Sequence, residues 1–270
     1  MKGAGVLGRP RTNDHFHWYL TIALPIVLFT DFGRDDIYVG QLHARAQMEQ
    51  PGCCVIDLFH GAKPFAPACA GTLLAALLPH TPPASVVLAI VDPGVGSERL
   101  GLALQLGERW LVGPDNGLFS CALSWTDERP QYWTIRAGTA PVAATFHGRD
   151  VFLPAAVALT AGDTGELVTL ADASVSLTHS LVAQCAEQDR RVVYIDHYGN
   201  VITGVRGAVL DRAGEFSVAG RTLCFAPYFD AVPPGQCFWH VNSIGLVEFS
   251  ANRASAAELL GLICGDRFDA

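Results

Sequence analysis

Between residues 25 and about 180 the chain alternates short β-rich runs with helical ones, and this alternation constrains the fold more than any other feature. PIVLF (25–29), CVIDLF (54–59) and VVLAIVD (86–92) have the length and the β-branched content of strands, whereas IYVGQLHARAQMEQ (37–50) and PACAGTLLAALL (67–78) have helical length. Strands separated by helices return parallel to one another, so the spacing predicts an α/β domain with a mainly parallel sheet and helices on its faces. Ligands of such sheets bind beyond the carboxyl ends of the strands. Thr30 and Asp31, DPGVGSER (92–99) and GPDNG (113–117) all fall at such positions.

After residue 185 the texture changes to RVVYID, VITGV, FSVAG, TLCFA, CFWHV and LVEFS, short runs separated by Gly, Pro and Asn turns, with one final helix in SAAELLG. Close-spaced strands with turn punctuation predict a smaller C-terminal domain that is either a small barrel or a sandwich. The boundary is placed in AEQDR (186–190), which leaves an extension over 1–24, an α/β domain over 25–185 and the small β domain over 190–270. The apolar run WYLTIALPIVLF (18–29) lacks an A-x-A-like cleavage site and is shorter than the ~20 residues needed to span a bilayer.

Half of the 270 residues are hydrophobic, enough for a sizeable core. The formal charge of −8, without any Lys/Arg run, excludes the basic footprint of nucleic-acid or anionic-membrane binders. Eight cysteines show no CxxC spacing and read as small core hydrophobes in a reducing cytoplasm. Nine histidines fall without HExxH or another metal-ligand spacing, so no metal is expected. A nucleophile elbow, GxSxG, is missing. DPGVG lacks the third glycine of a dinucleotide loop and leads into GLALQL, an apparent strand, so a tight hairpin turn is one reading of it.

What remains is a set of carboxylates and amides at strand ends. Asp31 either caps a helix or accepts two hydroxyls of a ribose. Asn116 and Asn200 serve either as turn residues or as ligand contacts. FHGRDVF (146–152) places His147, Arg149 and Asp150 between two phenylalanines, where Arg149 and Asp150 read as a local ion pair with Asp150 capping the following helix.

The stretches TDFGRDDIYVG (30–40), VDPGVGSER (91–99), GPDNGL (113–118), FHGRDVF, IDHYGN (195–200) and NSIGLVEFSANRASAAELLG (242–261) together resemble one family in order and spacing. The chain is similar to the S-adenosyl-L-methionine hydroxide adenosyltransferases, hydrolase relatives of the fluorinases and chlorinases. The resemblance implies an α/β N-terminal domain joined to a smaller C-terminal β-barrel domain, and hydrolysis of S-adenosyl-L-methionine to adenosine and methionine without a cofactor, in a homotrimer whose sites lie between the N-terminal domain of one subunit and the C-terminal domain of the next. It implies that Asp92, Arg99 and His147 position the attacking water or hydroxide. It also implies Asp31 as the ribose contact, Asp36 as a second acidic position, Asp196 at the methionine ammonium and Ser243 near its carboxylate. Asn200 would meet the adenine and Phe229 would stack on it; Asn116 and Glu248, within matching stretches, complete the substrate-binding set.

Two stretches depart from the family pattern, QLHARAQ (41–47) and HGAKPFAPACAG (60–71). Both lie outside the implied triad, so they bear on packing or substrate access rather than on the reaction. The competing functions are a halogenase and a binding protein without turnover. The fluorinase has Tyr at the positions of Asp92 and His147, so the intact triad favours water as nucleophile.

Overall fold

The computed structural model describes residues 23–136, 141–165, 167–169, 185 and 188–269. Most of the extension over 1–24 lies outside the described residues. β1 (Ile26–Thr30) is buried at every position, as a central strand covered on both faces must be. It pairs in parallel with β2 (Val55–Phe59) and β3 (Val86–Ile90). β4 (Gly101–Leu106) and β5 (Arg109–Pro114) form an antiparallel pair, because the turn between them is too short for a crossover. β5 inserts in parallel beside β3, and β4 continues outward to β6 (Gln131–Ile135) and β7 (Leu167–Thr169) in antiparallel register.

The resulting order, β2-β1-β3-β5-β4-β6-β7, corrects two expectations. The sheet is mixed, parallel over one half and antiparallel over the other, rather than mainly parallel. DPGVG is not a hairpin turn, since β5 lies between the strands it connects. The loop instead crosses the carboxyl ends of the parallel strands.

Alternation along each strand feeds two cores. Ile26 and Leu28 face α1 (Ile37–Glu49) and α4 (Leu153–Thr160), while Val27 and Phe29 face α2 (Pro67–Leu77) and α3 (Ser120–Ser124).

The C-terminal part contains β8 (Gln188–Ile195), β9 (Val201–Arg206), β10 (Phe216–Val218), β11 (Arg221–Leu223), β12 (Cys237–Val241), β13 (Leu246–Ala251) and α5 (Ala256–Leu260). Four of these strands form an antiparallel sheet in the order β12-β13-β9-β8, and β10-β11 is a separate ribbon. Phe216 of the ribbon packs edge-on against Trp239 and Phe249, with ring centroids 5.3 Å apart in each pair. Ser255 caps α5 by accepting the Glu258 N–H at 3.1 Å, and Gly261 ends it in the left-handed conformation.

α2 packs on β8 and joins the two parts. A disulfide between Cys121 of α3 and Cys185 ties the same junction, with Cα atoms 5.1 Å apart. This overturns the reading of all eight cysteines as reduced core residues. Their 64-residue separation hides a partnership that only the docking of β8 on α2 creates. Among the described residues no helix is long and apolar enough to cross a membrane.

Candidate active site

Asp92 and Arg99 stand at the two ends of the β3–β4 loop. Arg99 Nε donates to Asp92 Oδ1 at 2.8 Å and its Nη2 donates to Oδ2, a bidentate pair whose side chains are 11% and 5% exposed. The same Nη2 lies 3.2 Å from His147 Nδ1. The loop can approach the His147 segment only because residue 96 is glycine: its φ is 82°, and a Cβ there would sit 2.7 Å from the Ala144 carbonyl oxygen. At Gly148 the constraint is weaker, since a Cβ would meet only the end of the Ile90 side chain, Cδ1, at 2.8 Å. The guanidinium rests over the Phe152 ring, 4.9 Å from its centroid.

A guanidinium has no acceptor, so in the Arg99–His147 contact Nδ1 is the acceptor and the neutral imidazole carries its proton on Nε2. Burial, reinforced by the Arg99 charge, holds the His147 pKa below its ordinary value against the opposing effect of Asp92 and Asp150. The imidazole is therefore neutral at neutral pH and presents an N–H donor.

A cavity of about 380 Å³ opens on this row. Asp31, Asp36, Asp92 and His147 all line it. One wall is an aromatic cluster of Phe32, Tyr38 and Phe146, with centroids 5.4 to 5.7 Å apart. Burial raises the Asp31 carboxyl above its ordinary pKa, despite the Phe65 N–H that donates to it. Phe65 itself is 80% exposed and has a φ of 62°, a costly conformation for a non-glycine residue. Asp36 lies at the rim and caps α1 by accepting the Ile37 N–H at 2.6 Å.

Asn116 lines a neighbouring cavity with Phe65 rather than this one. Its Nδ2 donates to the Val91 carbonyl at 2.8 Å, which braces the backbone immediately before Asp92. Asp115, beside it, is pushed up to about 6 by burial, against the pull of Arg99.

The C-terminal candidates gather elsewhere. Asn200 and Phe229 line a second cavity of about 500 Å³ together with Tyr198 and Arg253. Asp196 locks the turn below it, accepting the Tyr198 and Asn200 N–H groups at 2.9 Å and the Asn200 amide at 2.8 Å. Phe229 is 40% exposed and stands edge-on to Phe238 and His240, leaving a ring face available. Ser243 is exposed on the turn between β12 and β13, and Glu248 is buried; neither lines these two cavities. Burial alone would raise Glu248, but donors from His240, Ser250 and Asn242 outweigh it and hold its pKa below the ordinary value.

The Arg149–Asp150 ion pair is present, with Arg149 Nε 2.7 Å from Asp150 Oδ1. Asp150 does not cap the helix. It lies inside a π-helical turn, Gly148–Phe152, and accepts the Ala143 N–H at 2.9 Å instead. The sequence reading missed the aromatic wall and Phe65, Tyr198 and Arg253. Phe32, Tyr38 and Phe146 lie within the matching stretches themselves, yet aromatics there are as easily core residues, and only their position over the strand ends sets them apart.

A mixed α/β sheet whose strand ends carry a carboxylate–guanidinium–imidazole row, joined to an antiparallel β region with a second cavity, defines a two-part small-molecule-binding protein. Residues 26–169 match the SAM hydroxide adenosyltransferase N-terminal domain and residues 190–269 the corresponding C-terminal domain, so the chain belongs to that family. It is 38% identical to an (R)-S-adenosyl-L-methionine hydrolase of Thermus thermophilus, over 88% of this chain and 96% of that one. A Salinispora arenicola protein of the same name is also 38% identical, over 88% and 94%. A Thermotoga maritima crystal structure of an uncharacterized conserved protein superposes with a TM-score of 0.74 at 25% identity, covering 89% of this chain and 97% of that one. A conserved hypothetical protein from Thermus thermophilus superposes at 0.66 with 36% identity, covering 90% and 97%.

Proposed function

We propose that the protein hydrolyses S-adenosyl-L-methionine to adenosine and L-methionine by in-line attack of water or hydroxide at C5′ of the ribose. The observation that carries this reading is the Asp92–Arg99–His147 row, whose Asp92 and His147 line the cavity with Arg99 bonded to both, in a chain similar to hydrolases named for that substrate.

Methionine departs from a sulfonium as a neutral thioether, so the leaving group needs no proton. The C5′–O bond forms as the C5′–S bond breaks, and its electron pair stays on sulfur. The site must supply a nucleophile. Arg99 cannot lose its charge and favours hydroxide over water nearby, with the proton released to solvent. Asp92 occupies two guanidinium N–H groups and so fixes its plane. His147 offers Nε2–H to the same oxygen, a positioning role rather than that of a general base, because its Nδ1 lone pair is taken by Arg99. Hydroxide and sulfonium neutralise one another in the transition state, which a cavity walled by Phe32, Tyr38 and Phe146 favours by limiting water.

In this reading Asp31 accepts the ribose hydroxyls, with Asp36 near by at the rim, and Asn116 acts by bracing Asp92. Phe229 stacks on adenine beside Asn200, Asp196 meets the methionine ammonium, and Ser243 lies near its carboxylate. Glu248 supports that end from below. The two cavities share no lining residue, which supports a site assembled from the N-terminal part of one chain and the C-terminal part of its neighbour in a homotrimer. The division near 186–190 and closure of the C-terminal strands into a barrel belong to the same proposal. So does a cytoplasmic location; the Cys121–Cys185 bridge is the feature that speaks against it.

Purified protein incubated with S-adenosyl-L-methionine in chloride buffer, followed by chromatography, separates the alternatives. Adenosine supports hydrolysis. A 5′-chloro product or unchanged substrate rejects it.

A further inference from the structure

His147 is followed directly by the π-turn, and π-turns within helices are concentrated at functional positions. Arg149 and Asp150 occupy that turn, and their contacts exceed what a local ion pair needs. Arg149 Nε and Nη2 grip Asp150 at 2.7 and 2.8 Å, leaving Nη1 to donate to Gln41 Oε1 on α1 at 2.7 Å. The Gln41 amide is itself oriented, since Nε2 donates to the Ile37 carbonyl at 3.0 Å. The Arg149 guanidinium lies 5.0 Å from the centroid of the Phe146 ring. Asp150 reaches back to the Ala143 N–H, and Arg45 of α1 stands 3.9 Å from its other oxygen.

We propose that Gln41, Arg149 and Asp150 form a positioning clamp that fixes His147 and the Phe146 wall against α1. The inference rests on the hydrolase reading only for its kinetic consequence. Asp150 holds the segment before His147 through Ala143, and the Phe146 carbonyl accepts the Arg149 and Asp150 N–H groups at 3.2 Å, so His147 is bracketed on both sides. Gln41 ties that bracket to the helix whose first turn carries Tyr38 of the same cavity. Gln41 and Arg45 both lie in QLHARAQ, one of the stretches that departs from the family pattern. None of the three clamp residues touches the reacting atoms; they act through His147 and Phe146.

Gln41→Leu removes the far end of the clamp and keeps a helix-compatible side chain. Since a misplacement of about 1 Å in a catalytic group costs up to about 100-fold, kcat for adenosine formation should fall by about 10-fold or more with a much smaller change in KM. A second readout uses no substrate: NMR titration of the His147 imidazole in the free protein. Arg99 and Asp92 face that ring from the β3–β4 loop and Asp150 from its own segment. Loosening should solvate the ring and move its titration upward, towards the ordinary value. Gln41→Glu keeps an acceptor for Arg149 and should restore both measurements. Should Gln41→Leu not fold, Gln41→Asn, which falls short of Nη1 by one methylene, replaces it. A variant with unchanged kcat and unchanged His147 titration, whatever its melting temperature, overturns the clamp. Wild-type protein that makes no adenosine, while the variant still shifts the titration, keeps the clamp and rejects the hydrolase reading.

Discussion

Asp92→Asn preserves volume and removes one charge from a pair whose side chains are 5% and 11% exposed. Deleting one partner of a buried ion pair costs about 3–5 kcal/mol, and the remaining amide oxygen still accepts one Arg99 N–H, which places the loss near ~3 kcal/mol. At about 2–4 °C per kcal/mol for a chain of this size, the melting temperature should fall by about 6–12 °C. The activity loss should be larger in proportion, on the order of 10²- to 10³-fold in kcat, because Arg99 no longer holds its plane towards the nucleophile. The pH profile carries a sign. Burial and Arg99 lower the His147 pKa while Asp92 raises it, so removing Asp92 lets the pKa fall further. Neutral imidazole is the active form and activity is lost as pH falls through that pKa, so the acid limb must move to lower pH. Adenosine formation measured from about pH 4 to pH 8, with thermal melts on the same preparation, tests all three. A kcat within a factor of about two of wild type, or an acid limb that moves upward, would refute the reasoning.

The Asp115 carboxyl, raised by burial from 3.8 to about 6, adds stability that is complete below its unfolded pKa and is lost as pH rises through the folded one. Asp115→Asn should therefore stabilise the protein at pH 8 by ~1 kcal/mol after discounting for partial exposure, and the gain should vanish near pH 4 in parallel thermal melts. Alkylation in denaturant without reductant, followed by mass spectrometry, should label the six free cysteines and spare Cys121 and Cys185. Cys185→Ser should cost about 4 kcal/mol for a loop closed over 64 residues, read from denaturant unfolding. Among the described residues no three His, Cys, Asp or Glu side chains converge as a metal site, so activity should survive exhaustive chelation; loss with rescue by one divalent ion would rule out a nucleophile held by Arg99 and His147 alone. Co-expressed Asp92→Ala and Asp196→Ala chains should regain partial activity in verified mixed oligomers, and no recovery there rejects the shared site.

Much of this architecture is legible in the sequence because its signals are local. IVLFT and VVLAI are short, β-branched and apolar throughout, and SAAELLG carries its own cap and stop, so their identity does not depend on their surroundings. The motif residues Asp31 and Asp92 follow strands and Asn116 follows β5, which places them at one edge of the sheet before any tertiary contact is known.

What the sequence alone determined, then, is which segments form elements and which side chains sit at their ends. Tertiary structure decided which of those ends meet. The insertion of β5 between β3 and β4 turned an apparent hairpin into a loop that carries Arg99 across the strand ends to His147, 48 residues away. Docking of α1 on the π-turn joined Gln41 to Arg149 across 108 residues and made a local ion pair part of a larger network. The same kind of docking brought Cys185 to Cys121 and set Asp31 and Asp36 on one cavity and Asn200 and Phe229 on another. Strand order and helix docking are set by the sum of many weak apolar contacts between distant segments, and no short stretch of sequence contains that sum.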